Sequence, residues 1–238
     1  MNVALRSLRE LIRHVVLLLG LEPKGRAFQT GSLAQRFEGI YARGDWAIGE
    51  DTPLSGTGSS LSATAELRRR LPELLVKLEA QTLLDIGCGD FTWMRELDLP
   101  CKYVGIDIVA GIIQANISAF SGPQHRFLVV NAVSEALPAG DIGLCREVLF
   151  HLSFADATAL LKNIASNCRW LLLTTDKATW FNSDIESGGA RFLNLEASPF
   201  LLGPPEYSIE EPGSHRARRI GAWSATRVAQ ALEARNDN

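Results

Sequence analysis

Hydrophobic and polar positions along this chain follow two periods, and the switches between them mark out its elements. Leu5, Leu8, Leu11, Ile12, Val15, Val16 and Leu19 recur at helical spacing with Arg6, Arg9, Glu10 and Arg13 opposite, which predicts an amphipathic helix over 5–21. Its unbroken apolar run, Val15 to Leu19, falls far short of the about 20 residues a bilayer span requires. No small-residue cleavage site follows, so packing or a membrane-surface contact is expected. A second helical stripe (Leu67, Leu71, Leu74, Leu75, Leu78) predicts a helix over 61–80 that Pro72 kinks or restarts. Short apolar runs of strand length then begin at Leu83, Tyr103, Arg126, Asp141 and Trp170. Between the last two lies a helix over 154–166, with Ser153 as N-cap and Leu160, Leu161 and Ile164 on its buried face. Strands alternating with helices imply right-handed crossovers and a doubly wound, mostly parallel α/β sheet.

Beyond Asp176 the periodicity fails. Residues 178–215 carry Gly188-Gly189, Pro199, Gly203-Pro204-Pro205 and Pro212-Gly213, the punctuation of a long loop. It reads as a substrate-recognition insert or as a disordered connection. Tyr207–Glu210 and 217–223 are candidates for terminal antiparallel strands, with a helix over 225–234 closing the chain. Residues 25–58 hold seven glycines around Phe37, Tyr41 and Trp46 and run into Leu54-Ser55-Gly56-Thr57-Gly58-Ser59-Ser60. Glycine-rich backbone beside aromatics suits either a flap over a pocket or a plain surface loop.

The stretch 81–90, QTLLDIGCGD, organises the rest. A buried strand ends at Asp85-Ile86 in Gly87-Cys88-Gly89, where two glycines permit positive φ and let a ligand approach the backbone. A helix from Thr92 to Leu97 is expected to aim its N-terminal amides at that ligand. A dinucleotide fingerprint needs a third glycine where Thr92 stands. The next strand ends in Asp107, whose carboxylate suits the two hydroxyls of a ribose. A nucleoside with one small charged tail, S-adenosylmethionine, fits this combination.

These residues resemble the class I S-adenosylmethionine-dependent methyltransferases. The matching pieces, in the family's order, are Leu83–Asp90, Gly105-Ile106-Asp107-Ile108, Phe127–Ala132 and Asp141–Leu152, across roughly residues 80–175. The resemblance implies a Rossmann-like doubly wound sheet of seven strands, mostly parallel with an antiparallel terminal hairpin, behind an N-terminal helical and loop segment (1–60). It implies cofactor contacts from Asp85, Gly87, Cys88, Gly89, Asp107, Ile108, Asn131, Ala132 and Arg146. Several bacterial members also carry an aromatic-Trp-Ser-Gly-x-Gly-Ser segment before the first strand, which points to Tyr41, Trp46, Ser55 and Gly56. Two departures stand out. Phe91 occupies a place where the family commonly has glycine, which predicts a tighter cradle. Asn131 replaces an acid that accepts from the adenine amino group, a bond an amide oxygen still accepts.

Methyl transfer is an in-line displacement that mainly requires alignment and exclusion of water. Asp85 and Asp90 are expected to favour the cofactor's cationic end. A hydroxyl acceptor also needs a base. His151, past the fourth strand, is the candidate, with Glu147 binding cofactor or orienting the imidazole; the plainer reading is a histidine satisfied by backbone. A metal-assisted variant needs Asp141, Asp176 and Asp184 to converge. No zinc-type spacing is present, and no metal is expected.

Composition narrows the acceptor. A net charge of −3 over 238 residues gives no general pull toward nucleic acid, although Arg68–Arg70 and Arg216–Arg219 cluster. The four cysteines show no paired spacing, which with no signal peptide suggests reduced thiols in a cytoplasmic protein. The leading expectation is an enzyme methylating an oxygen or nitrogen of a small molecule, such as a sugar or secondary metabolite. The alternatives are a nucleic-acid methyltransferase and a non-catalytic cofactor-binding module.

Overall fold

A computed structural model describes residues 31–47, 49, 52–212 and 218–234. The N-terminal stripe and Arg216 lie outside the described residues. Among the described residues no helix is long and apolar enough to cross a membrane.

Seven strands form one sheet: β1 (Thr82–Ile86), β2 (Lys102–Asp107), β3 (His125–Val129), β4 (Ile142–Cys145), β5 (Trp170–Asp176), β6 (Tyr207–Glu210) and β7 (Arg218–Ser224). Their order is β3-β2-β1-β4-β5-β7-β6. The first five are parallel, and β7 runs antiparallel to β5 and β6. The order reverses between β1 and β4, so a crevice opens over their carboxyl ends. Among the described residues five α-helices accompany the sheet: α1 (Leu33–Arg43), α2 (Ala65–Lys77), α3 (Ala110–Phe120), α4 (Phe154–Asn167) and α5 (Ala225–Ala234). The alternation within β1 shows how both faces are covered. Leu84 and Ile86 enter a core with Leu160 and Leu161 of α4 and Val228 of α5. Leu83 enters a second core with Leu67, Leu71 and Leu75 of α2.

Several expectations meet a different outcome. No α-helix follows β1; a single 3-10 turn, Met94–Glu96, takes its place, so no helix N-terminus aims at the cradle. The connection from β3 to β4 is likewise irregular. The alternation of strand and helix is therefore complete only at α3 and α4. Pro72 neither ends nor restarts α2, which runs through it with one fewer hydrogen bond. Residues 33–43, within the glycine-rich stretch, form α1. Ser32 and Gln35 build a reciprocal capping box at its start, and Gly44 closes its end in the left-handed region. Between β5 and β6 the insert contains no regular element, yet Leu193, Leu195, Phe200 and Leu202 are buried in the first core. Each such side chain contributes on the order of 1.5–3 kcal/mol, which removes the reading as a disordered connection.

Candidate active site

A cleft lies over the carboxyl ends of β1, β2 and β4. Ile86 and Gly87 form its floor. Asp107 and Ile108 close one wall beside Asn131 and Ala132, and Arg146, Glu147 and His151 form the other. Leu33, Phe37 and Tyr41 of α1, with Trp46 and Ser55, complete it from the N-terminal side.

Gly87 has φ 72°, and a Cβ there would collide with the Val148 side chain. The floor thus depends on glycine for both its turn and its room. Asp107 is buried, its Oδ2 accepting from the Gly89 amide at 3.1 Å and its Oδ1 from Val109 at 3.0 Å. Burial pushes its carboxyl up, and the backbone donors pull the other way. Each carboxylate oxygen retains acceptor capacity for a diol. Asn131 Oδ1 accepts from the Val133 amide at 3.1 Å. That local turn fixes the side chain and leaves its oxygen one further acceptor site.

The opposite wall is built from charges. Buried Arg146 donates from Nε to Glu211 at 2.9 Å and from Nη2 to the Gly58 carbonyl at 2.9 Å. Glu147, at φ 57°, ion-pairs with Arg218 and approaches Arg146 at 3.5 Å. Ser55 donates from its backbone to Asp90 Oδ2 at 3.3 Å and from its hydroxyl to Oδ1 at 2.7 Å. Segment 55–59 is therefore held at one side by the loop after β1 and at the other by the loop after β4. Trp46 packs between Tyr41 (ring centroids 5.2 Å apart) and His151 (4.8 Å). His151 Nδ1 lies 2.7 Å from the Gly189 carbonyl, and burial lowers the imidazole to about 4, leaving it neutral near pH 7.

Some residues named from the sequence do not reach the cleft surface. Asp85 shares the face of Leu83, where it accepts from Tyr103 Oη at 2.7 Å, so it offers nothing to a cationic ligand. Asp90 is committed to Ser55 and the Thr92 amide. Cys88 turns into the second core, where burial pushes its thiol up and away from reactivity. Gly89 and Gly56 do not line the cleft. Phe91 does not tighten the cradle, because its ring leaves for a cluster with Tyr103, Phe120 and Phe127. Glu147 makes no hydrogen bond to His151; the Gly189 carbonyl holds that ring. Asp141 caps the start of β1 through the Gln81 and Thr82 amides, at the far end of the sheet from Asp176. No group of metal-ligating side chains forms among the described residues.

Sequence reasoning missed Leu33, which the Ser32–Gln35 capping box signals, and the role of Gly189, for which no local signal exists.

No known family profile matches the chain, and no curated protein does. Solved structures do. Magnesium protoporphyrin IX methyltransferase from Synechocystis PCC 6803, with S-adenosylmethionine bound, matches at 14% identity and TM-score 0.53, covering 81% of this chain and 97% of that one. The S-adenosylmethionine-dependent methyltransferase SibL matches at 14% identity and TM-score 0.51, over 68% of this chain and 55% of its own. TnmH matches at 16% identity and TM-score 0.55, over 92% and 69%. With its strand order, antiparallel β7 and cleft at the switch point, the chain has the fold of the class I S-adenosylmethionine-dependent methyltransferases.

Proposed function

We propose that the protein transfers a methyl group from S-adenosylmethionine to an oxygen or nitrogen of a small-molecule acceptor. The observation that carries this reading is the Asp107 carboxylate, buried at the end of β2 and beside the glycine floor of a cleft in a methyltransferase fold. A ribose binds there through the acceptor capacity left on both Asp107 oxygens. Gly87 admits the tail that a side chain would exclude, and Asn131 accepts from the adenine amino group. When bound, the cofactor supplies a methyl group activated by its sulfonium. The chain's own task is to align the acceptor and keep water out, for which α1, Trp46 and segment 55–59 form the cover. As the new bond forms, the acceptor's proton passes to the unprotonated nitrogen of His151; burial keeps that ring neutral and also makes it a weaker base than free imidazole.

The lining of the cleft and the fate of the arginines favour a small acceptor over nucleic acid. Arg218 pairs with Glu147, Arg219 with Glu196, and Arg69 and Arg70 with Glu66. The charges of Arg218 and Arg219 are thus committed within the protein, which takes them from a phosphate track, while Arg69 and Arg70 share one acid on an exposed face.

Titration calorimetry of the full chain with S-adenosylmethionine tests the cofactor half. Asp107→Ala should weaken binding by about 10–10²-fold, the loss of one or two hydrogen bonds to a charged group. No binding to the folded wild-type chain, or undiminished binding to the variant, rejects it. Once an acceptor is in hand, His151→Ala should cut turnover about 10²-fold at unchanged cofactor affinity.

A further inference from the structure

We propose that segment Ser187–Arg191 of the insert is a strap that positions His151, fixing its proton on Nδ1 and leaving Nε2 as the basic nitrogen. It rests on the methyl-transfer reading only for the use made of that nitrogen. Besides a longer bond from Arg191 Nη2 to the Leu149 carbonyl at 3.5 Å, three hydrogen bonds join the strap to the 3-10 turn Leu149–His151. The Gly188 amide donates to the His151 carbonyl at 2.8 Å, and the Arg191 amide to the Phe150 carbonyl at 3.1 Å. The third links His151 Nδ1 to the Gly189 carbonyl at 2.7 Å. A carbonyl only accepts, so Nδ1 must carry the hydrogen and the lone pair stays on Nε2. Rotation of the ring is opposed by Trp46 and by Phe150, whose centroid is 4.2 Å from that of the imidazole.

The strap is itself latched. Ser187 is buried, and its hydroxyl accepts from the Ser153 amide at 2.8 Å while donating to Asp156 Oδ2. Asp156 belongs to the first turn of α4, whose N-cap is Ser153. The latch thus ties the insert to a rigid helix terminus two residues before the carbonyl that holds the imidazole. Arg36 of α1 adds a bond from Nη1 to the Ser187 carbonyl at 3.1 Å. Gly188, at φ 104°, makes the turn that brings the Gly189 carbonyl round to the ring. Ser187 and Asp156 are positioning residues: neither lines the cleft, and each acts through backbone that touches His151. The charged groups acting on the ring are Glu147 after β4, Arg218 of β7 and Arg191 of the strap, none of which the latch variants remove.

The test uses the full-length chain with ¹⁵N-labelled histidine and no ligand. Long-range proton–nitrogen correlation reads the tautomer of each imidazole, and His151→Gln identifies the signal. The wild-type ring should be protonated on Nδ1 and bare on Nε2, and should stay neutral at pH 5–6. Ser187→Ala should restore the Nε2-protonated form that dominates in free histidine. It should also raise the titration midpoint by about one unit toward the ordinary value near 6.5, because a loosened strap readmits water. Asp156→Ala, which cuts the other end of the latch, should do the same and serves if the first variant fails to fold. A wild-type ring protonated on Nε2, or folded variants that keep the wild-type tautomer and midpoint, overturns the proposal. The wild-type tautomer decides it should neither variant fold. Because no cofactor is present, failure here is separate from failure of the calorimetric test above.

Discussion

The loops after β1 and β4 face each other across the cleft, and each holds one non-glycine residue in the left-handed region: Phe91 at φ 58° and Glu147 at φ 57°. Such a conformation costs on the order of 1–3 kcal/mol and persists only where the surroundings enforce it. The enforcement differs. Phe91 is offset by burial, its ring 5.0 Å from those of Tyr103 and Phe127 and 5.3 Å from that of Phe120. Glu147 is offset by charge, between Arg218 and Arg146, with its carboxylate on the cleft wall. Each loop region also has a second acid, and the contrast repeats. Asp85 answers to a neutral phenol in the core, whereas Glu211 answers to Arg146. The first loop is a folding element that shapes a floor. The second carries polar chemistry.

Replacing Phe91 separates the two loops most strongly. Phe91→Ala should lower the unfolding free energy by about 3–5 kcal/mol in chemical denaturation. Cofactor affinity of the folded fraction should change less than about threefold, under 1 kcal/mol. An affinity loss as large as the stability loss would erase the distinction. Glu147→Ala should show the reverse balance. Stability should fall by about 1–2 kcal/mol, since the pair is partly exposed and charged hydrogen bonds contribute in that range, while calorimetric affinity for S-adenosylmethionine drops about tenfold. Unchanged affinity would make Glu147 a brace only. The smallest effect concerns Asp85, whose carboxyl burial raises to about 7. Between about pH 4 and 7 the folded chain keeps a proton that the unfolded chain has released. Stability therefore falls as pH rises through that window and levels off above it. Asp85→Asn, which can still accept from Tyr103, should flatten this dependence and raise Tm at pH 8. A wild-type Tm independent of pH across the window would contradict the buried acid.

The sheet was legible because its strands are buried on both faces and read as continuous apolar runs, Leu171-Leu172-Leu173 most plainly. Ser153 was legible as an N-cap because its hydroxyl acts only three residues away, on the Asp156 amide. The glycine floor and Asp107 were legible because both sit where a strand stops. The inward turn of Asp85 required knowing which face of β1 meets Tyr103, a matter of register between strands 18 residues apart. α1 hid within a glycine-rich composition that outweighed its capping box. The Gly189 contact joins residues 38 apart through a backbone carbonyl, which has no signature in a side-chain pattern.

Gly58 has a bearing beyond its own position. A Cβ there would overlap the Glu147 carboxylate, and the Gly58 carbonyl is the group that Arg146 grips. One added methyl group would force a choice between the acid's pairing with Arg218 and the seating of the whole 55–59 cover. Gly58→Ala therefore acts on the cleft through the far end of the Glu147 side chain, which has to move aside before the methyl group fits.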